Sequence, residues 1–325
     1  MINFLRVVLI LAGLSMAAPF SIAADLLNVT DLEVDRVPGA QGLTGLLRMN
    51  SAYTLRAGEV RLHATAFYYD EKNLVVGAPF LAPLETTYIE IPVSLTMGVT
   101  DNFEIAFVGK LIDYELQTIV DLGLGPQPVD VEERDFGDSE VLMKVHVLDQ
   151  SEFAPAFALG LGAILGTGDE DKLLTGVEAW GAKMMAMASV ELPLFEDSFL
   201  GMYLEVQGVS IDPSEDDFDA ITSPDGSIYK DSYNIVSAGI RFPISNDNRL
   251  HFMAEFSSES GRERLSLPTL PGVAIVADGD RDIMTVGLRY AWRYMTFNAG
   301  AEKSDYDLVG VDDITRYFLG FGLGF

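Results

Sequence analysis

A period of two, repeated in runs of ten residues or more from about residue 59 to the last residue, constrains this chain more than any other feature. In Thr87–Val99, the apolar Ile89, Ile91, Val93, Leu95, Met97 and Val99 alternate with Tyr88, Glu90, Pro92, Ser94 and Thr96. Val141, Met143, Val145 and Val147 likewise alternate with Glu140, Lys144 and His146, and Met284, Val286, Leu288, Tyr290 and Trp292 with Thr285, Gly287 and Arg289. Successive side chains of a strand point to opposite sides. Each run therefore has one apolar face and one polar or charged face. Twelve strands are expected, near 59–69, 86–99, 103–117, 137–148, 154–166, 178–192, 199–211, 231–244, 250–261, 281–292, 295–304 and 315–325.

Strand length and connection length narrow the fold class. Globular strands have a mode of about 5–6 residues, whereas roughly 9–11 tilted residues cross a bilayer. The connections alternate between short, as in "TDN" at 100 or "RY" at 293, and long, as in 70–85, 118–136 and 212–230. Short turns at one end and long loops at the other describe an up-and-down meander of hairpins. A soluble antiparallel sandwich would alternate too, but the strands here are too long for one. The expectation is an all-β protein, a transmembrane antiparallel up-and-down β-barrel of about twelve strands in the outer membrane of a Gram-negative bacterium. After the first residues, no segment offers 18 uninterrupted apolar residues, so no spanning helix is expected.

The two ends fit this reading. Met1–Arg6, the apolar Val7–Leu14 and "SMAAPFSIAA" form an n-region, an h-region and a small-residue cleavage site. The expected organisation is a signal peptide over 1–24, an N-terminal periplasmic segment over 25–57 and the barrel over 58–325. The chain ends on "TRYFLGFGLGF", with Tyr317, Leu319, Phe321, Leu323 and Phe325 on one face and Gly320, Gly322 and Gly324 on the other. In lipid every backbone N–H and C=O must be paired, so the last strand must close on the first. Phe325 would sit at the inner interface, where aromatic rings are favoured. It also resembles the C-terminal signal read by the barrel-assembly machinery.

Composition excludes several function classes. A formal charge of −28 argues against nucleic acid as a partner. With no cysteine and three histidines, thiolate chemistry is excluded and little remains for a histidine-based metal site. No His-x-Ser arrangement of an outer-membrane lipase is present: the histidines stand in "HAT", "HVL" and "HFM". His251 and Glu255 share a strand face, but such pairs are more often structural than catalytic. No enzyme activity and no cofactor are expected. The acidic loops "VDVEERDFGD" (129–138), "GTGDEDK" (166–172) and "DPSEDDFD" (212–219) lack the spacing of a calcium loop and read as solvated outer surface, with bridging to lipopolysaccharide through divalent ions as a further possibility.

The charges on strands must then face the lumen, since each would cost about 2–4 kcal/mol toward lipid at the midplane. Ten acids between Glu59 and Glu302 and eight bases between Arg61 and Arg316, Arg293 among them, fall on that face. The candidate lining residues are Glu104, Lys110, Lys144, Glu205, Arg241, Glu255, Arg289 and Arg316. They allow two readings. One is a paired network that fills and rigidifies a narrow barrel. The other is the lining of a path for a small solute, hydrophobic or aromatic solutes included, moving passively. The rival function is a structural or adhesive surface barrel with a plugged lumen and acidic loops as its working surface.

Two stretches add a family resemblance. "DFGDSEVLMKVHVL" (135–148), a Gly-Asp strand leading to a lysine, and "PAFALGLGAILGTGDED" (155–171), a strand and Gly-Thr-Gly-Asp loop, resemble a family of outer-membrane β-barrel transporters associated with phenol and aromatic-compound degradation. The matching positions are Gly137, Asp138, Lys144, Gly166, Thr167, Gly168 and Asp169. The resemblance implies an outer-membrane barrel and a small-molecule solute. It carries over no catalytic residue. Strand register and turn geometry are the expected role of these positions.

Overall fold

The structure, a computed structural model, describes residues 36–72, 85–121, 126–152, 154–168, 180–195, 198–212, 228–245, 247–266, 274–278, 280–306 and 314–325. The expected signal sequence and most of the acidic stretches at 166–172 and 212–219 lie outside them. Fourteen strands form one antiparallel sheet. They are β1 (Val60–Lys72), β2 (Glu85–Thr100), β3 (Phe103–Asp121), β4 (Pro126–Phe136), β5 (Ser139–Leu148), β6 (Ala156–Leu165), β7 (Trp180–Phe195), β8 (Ser198–Asp212), β9 (Ile228–Pro243), β10 (Leu250–Ser266), β11 (Ala274–Asp278), β12 (Arg281–Trp292), β13 (Met295–Tyr306) and β14 (Ile314–Gly324).

The fourteen strands make twelve staves. β4 pairs with the outer part of β3 and β5 with its inner part, in the same direction. Gly137 and Asp138 form the bulge between them. β11 and β12 likewise follow one another along β10, in one register. The sheet closes where β1 pairs with β14, from Arg61↔Gly324 to Tyr68↔Tyr317. Two further backbone hydrogen bonds join Val60 and Phe325, at 3.1 and 2.8 Å. No unpaired edge faces lipid at this seam, as a membrane barrel requires.

All twelve expected strands are present, and most run longer at the long-loop end. The largest extension is β3–β4, over the stretch 118–136 that reads as a loop in the sequence. Prolines at 126 and 128 and acids at 130, 132 and 133 hide its alternation. Beyond the membrane a strand has no need of an apolar face, so the binary pattern fades while the ladder continues.

Outward positions carry an apolar belt that includes Leu95, Phe107, Met184, Leu204, Val236, Phe252 and Leu288, all substantially exposed at the barrel surface. On β14 the aromatic face points outward, as with Tyr317. The glycine face points inward and leaves room for neighbours. A Cβ at Gly324 would collide with the Arg61 guanidinium, and one at Gly322 with Thr296 and His63. Arg293, expected among the lumen bases, stands exposed in the β12–β13 turn, at φ 54°. A two-residue hairpin turn needs positive φ.

Residues 36–57 do not extend away from the barrel as a periplasmic segment. They fold into it. Leu43, Ala52 and Leu55 are fully buried, and Val37, Leu46, Leu47 and Met49 nearly so. The reason is physical: a segment this apolar is poorly suited to water, and the wall offers two apolar patches for it. Leu46, Leu47 and Met49 pack with Phe67, Tyr203, Met253 and Phe318, while Leu43 and Ala52 pack with Ala106, Val108, Leu142, Met185 and Met187. Fully burying one such side chain is worth about 1.5–3 kcal/mol.

Candidate functional site: the barrel lumen

The internal segment is a knot of turns rather than a helix or strand. Its own hydrogen bonds include Gly39 N to Leu43 O (3.0 Å), Ala40 N to Leu47 O (2.8 Å) and Ser51 N to Thr44 O (2.9 Å). "GAQGLTG" supplies glycine at 39, 42 and 45. Gly42 adopts φ 95°, a left-handed conformation that side chains rarely take. At Gly45 a Cβ would strike the Met49 carbonyl oxygen. The wall makes room in turn, because a Cβ at Gly239 would meet Leu46 and Met49.

Such a segment leaves backbone groups unpaired by regular structure. The wall strands have already spent their own N–H and C=O groups on the sheet ladder. Buried polar groups need partners, so wall side chains must supply them. Glu104 on β3 accepts hydrogen bonds from Thr44 N (3.0 Å) and Leu55 N (2.8 Å). Glu205 on β8 accepts from Asn50 N (2.9 Å) and Asn50 Nδ2 (2.6 Å). Three successive amides, Leu47, Arg48 and Met49, converge on the Glu255 carboxylate of β10; the last two lie at 3.0 and 3.1 Å. Such a run of N–H groups is an anion-holding nest.

Cations take the carbonyls. Arg289 on β12 donates to Gly45 O (2.8 Å) and Leu46 O (2.6 Å), and its Nε donates to Asn298 Oδ1 (2.8 Å). Lys144 on β5 donates to Thr44 O (3.0 Å) and Ser51 O (3.1 Å) and pairs with Glu104 at 2.8 Å, both side chains fully buried. Five of the eight candidate lining residues, Glu104, Lys144, Glu205, Glu255 and Arg289, thus hold the plug. The Ala52 N–H, which donates to Ser189 Oγ (2.8 Å), and the Glu302–Arg48 ion pair extend the set.

The other three candidates have different partners. Arg241 pairs with Glu191 at 2.8 Å and lies over the Tyr203 ring. Lys110 and Arg316 line a cavity of about 260 Å³ on the long-loop side of the plug, with Arg48, Glu90, Glu140, Lys183, Glu259 and Arg281. The histidines are all engaged. His63 Nε2 lies 3.0 Å from Asn298 Nδ2, and His251 Nε2 lies 2.9 Å from Asn248 O. His146 sits between Ala52 O (2.8 Å) and Asp149 Oδ1 (2.9 Å). His251 therefore does not meet Glu255, whose carboxylate is occupied by the plug. Among the described residues, no group of three His, Asp or Glu side chains is placed to hold a metal ion.

Apart from Lys144, which holds the plug, the described resemblance positions sit at the long-loop rim. Gly137 N donates to Lys110 O (2.8 Å), Ser139 N to Thr167 Oγ1 (2.9 Å) and Gly168 N to Asp138 Oδ1 (3.1 Å). They knit the bulge between β4 and β5 to the end of β6. Asp169 lies outside the described residues.

A closed twelve-stave sheet with an apolar outer belt and a charged interior is a transmembrane β-barrel of the Gram-negative outer membrane. No family model matches the chain, and no curated protein matches it. Among solved structures, the COG4313 outer membrane channel from Pseudomonas putida F1 superposes with a TM-score of 0.60, covering 86% of this chain and 100% of that one at 12% identity. LpxR from Salmonella typhimurium gives a TM-score of 0.43 at 11% identity, covering 81% of this chain and 99% of that one. The transport unit of the autotransporter AIDA-I from Escherichia coli gives 0.45 at 10% identity, covering 88% and 96%. At these identities the likeness is one of fold, and the two weaker superpositions carry no further argument.

Proposed function

We propose that the protein is an outer-membrane channel whose lumen is gated by its own N-terminal segment, residues 36–57, and that small solutes cross passively when this plug shifts. The carrying observation is that the plug is separable from the wall. Its β-bridges, Pro38↔Thr44 and Gly45↔Asn50, lie within the segment, and among the described residues wall side chains supply most of its hydrogen bonds, with Thr54 Oγ1 donating to the Asp101 carbonyl of the β2–β3 turn as a contact to wall backbone. The wall closes through β1 and β14 without it. The similarity to a protein named as an outer membrane channel supports the same reading.

The cavity above the plug is lined by charged side chains, which supports a charged or polar solute. The resemblance to transporters associated with aromatic degradation supports an aromatic solute, and this lining fits best one that also carries charge. No catalysis is assigned in this proposal. Lipopolysaccharide around the rim and the assembly machinery at Phe325 are the partners it implies.

The rival, a permanently plugged surface barrel, is favoured by the density of buried contacts on the plug. One experiment separates the two. Single-channel conductance of the refolded mature protein is compared with that of a variant lacking residues 36–55. A gated channel predicts small, intermittent conductance for the intact protein and a large steady increase for the deletion. A folded, heat-modifiable intact protein that never conducts beside a conducting deletion variant would favour the plugged barrel and sink the gate.

A further inference from the structure

Among the described residues that line it, the cavity above the plug carries more positive than negative charge. Arg48, Lys110, Lys183, Arg281 and Arg316 line it, and in a chain of net charge −28 they are five of the 21 Lys and Arg residues. Against them stand Glu90, Glu140 and Glu259 in the lining, with Glu302 behind. Two of these carboxylates each serve two cations. Glu140 takes Lys110 Nζ at 2.9 Å and Lys183 Nζ at 2.6 Å, while Glu302 takes Arg48 and Arg316. Among the described residues, five cations face four carboxylates.

Arg316 is the loosest of them. Its Nη1 lies 4.0 Å from Glu90 and its Nε 3.5 Å from Glu302, and that Nε, though buried, makes no hydrogen bond among the described residues. The guanidinium lies over the Tyr69 ring, 5.8 Å from its centroid. Phe67, Pro92, Val108 and Ile235 supply apolar wall beside the charges. A planar guanidinium recognises a carboxylate through paired N–H donors, and the apolar wall suits an organic body better than a bare inorganic ion.

We propose that this cavity binds a small organic carboxylate, held by Arg316 with Lys183 on the opposite wall adding to the positive field, and that the occupant draws on Arg48, the lining cation that belongs to the plug. Arg48 is tied twice: its guanidinium to Glu302 and its backbone N–H to Glu255 at 3.0 Å. A carboxylate in the cavity competes with Glu302 for the first tie and loosens one tether of the plug. The coupling rests on the gate proposed above, whereas the binding does not.

The test is calorimetric titration of the refolded, full mature chain in detergent with succinate, benzoate and inorganic phosphate. Saturable carboxylate binding is expected, weaker at raised salt. It should weaken roughly tenfold when Arg316→Gln and Lys183→Gln are combined, a loss of about 1.4 kcal/mol. Should the double variant lose heat-modifiable folding, Arg316→Gln alone carries the test with a smaller loss in the same direction. Absence of saturable binding, binding indifferent to both substitutions, or phosphate bound in preference to either carboxylate would overturn the site. In planar bilayers, the bound carboxylate should raise the open fraction of the intact protein but not of Arg48→Gln. An equal response in both would overturn the coupling. A protein that binds carboxylate yet never conducts would defeat the gate and leave the site standing.

Discussion

The two halves of the lumen are built from the same alternating strands and carry the same kinds of charge, yet those charges do different work. Toward the short-turn end, Glu104, Lys144, Glu205, Glu255 and Arg289 are fully or almost fully buried and meet the backbone of another segment. Toward the long-loop end, Lys110, Glu140, Lys183, Glu259 and Arg281 meet one another around open space. The first set is a scaffold of partners for an irregular chain that the sheet could not pair. The second is a lining. A charge pointing into a barrel is thus not in itself a sign of a solute path; what it touches decides.

This contrast predicts a gradient of mutational effects. The largest is expected for Glu104→Ala, which strands the buried Lys144 ammonium and orphans the amides of Thr44 and Leu55. Removing one partner of a buried pair costs about 3–5 kcal/mol, to be read as a shift in the urea midpoint of the protein in lipid vesicles. A change below about 1 kcal/mol would mean that water reaches this pair and that the plug does not seal it.

Next comes Gly45→Val. The added side chain starts against the Met49 carbonyl, and overpacking of this kind costs about 1–3 kcal/mol. The loss should appear as easier proteolysis of the N-terminal segment while the barrel stays folded, since the wall closes without the plug. Unfolding of wall and segment together would blur the comparison, because it would make the plug part of the barrel's own stability.

The smallest effect is expected in the lining. Lys110 is about a third exposed, and its carboxylate partner Glu140 keeps Lys183. Lys110→Gln should therefore change stability by less than about 1 kcal/mol. A loss as large as that of Glu104→Ala would erase the distinction between the two halves.

The wall was legible in the sequence because a period of two is local: Thr87–Val99 or Asp282–Trp292 can be read without knowing the neighbours. The inward placement of the eight candidate residues followed from the same alternation and the cost of charge in lipid. The plug was not legible. Residues 36–57 have no periodicity to read, since they form no helix or strand, and their partners are distant in sequence. Met49 meets Glu255 and Leu46 meets Arg289 across separations of 206 and 243 residues. Two signals nonetheless point toward it. Gly39, Gly42 and Gly45 alternate with Leu43, Leu46 and Leu47 in a composition too apolar for a solvated linker. Leu142 and Met253 share strand faces with Lys144 and Glu255, and together with Met185 and Met187 they are the lumen's share of an internal core.

The central claim is that residues 36–57 occupy the lumen, and the absence of cysteine from the chain makes it directly testable. Ala52 is fully buried beneath the wall, whereas Ala57, five residues on, is exposed. Single variants Ala52→Cys and Ala57→Cys would be reacted with a maleimide in the folded protein and again after unfolding. The account predicts rapid labelling of the Ala57→Cys protein in both states and labelling of the Ala52→Cys protein only on unfolding. Equal, rapid labelling of both folded variants would contradict it and return the segment to the periplasm.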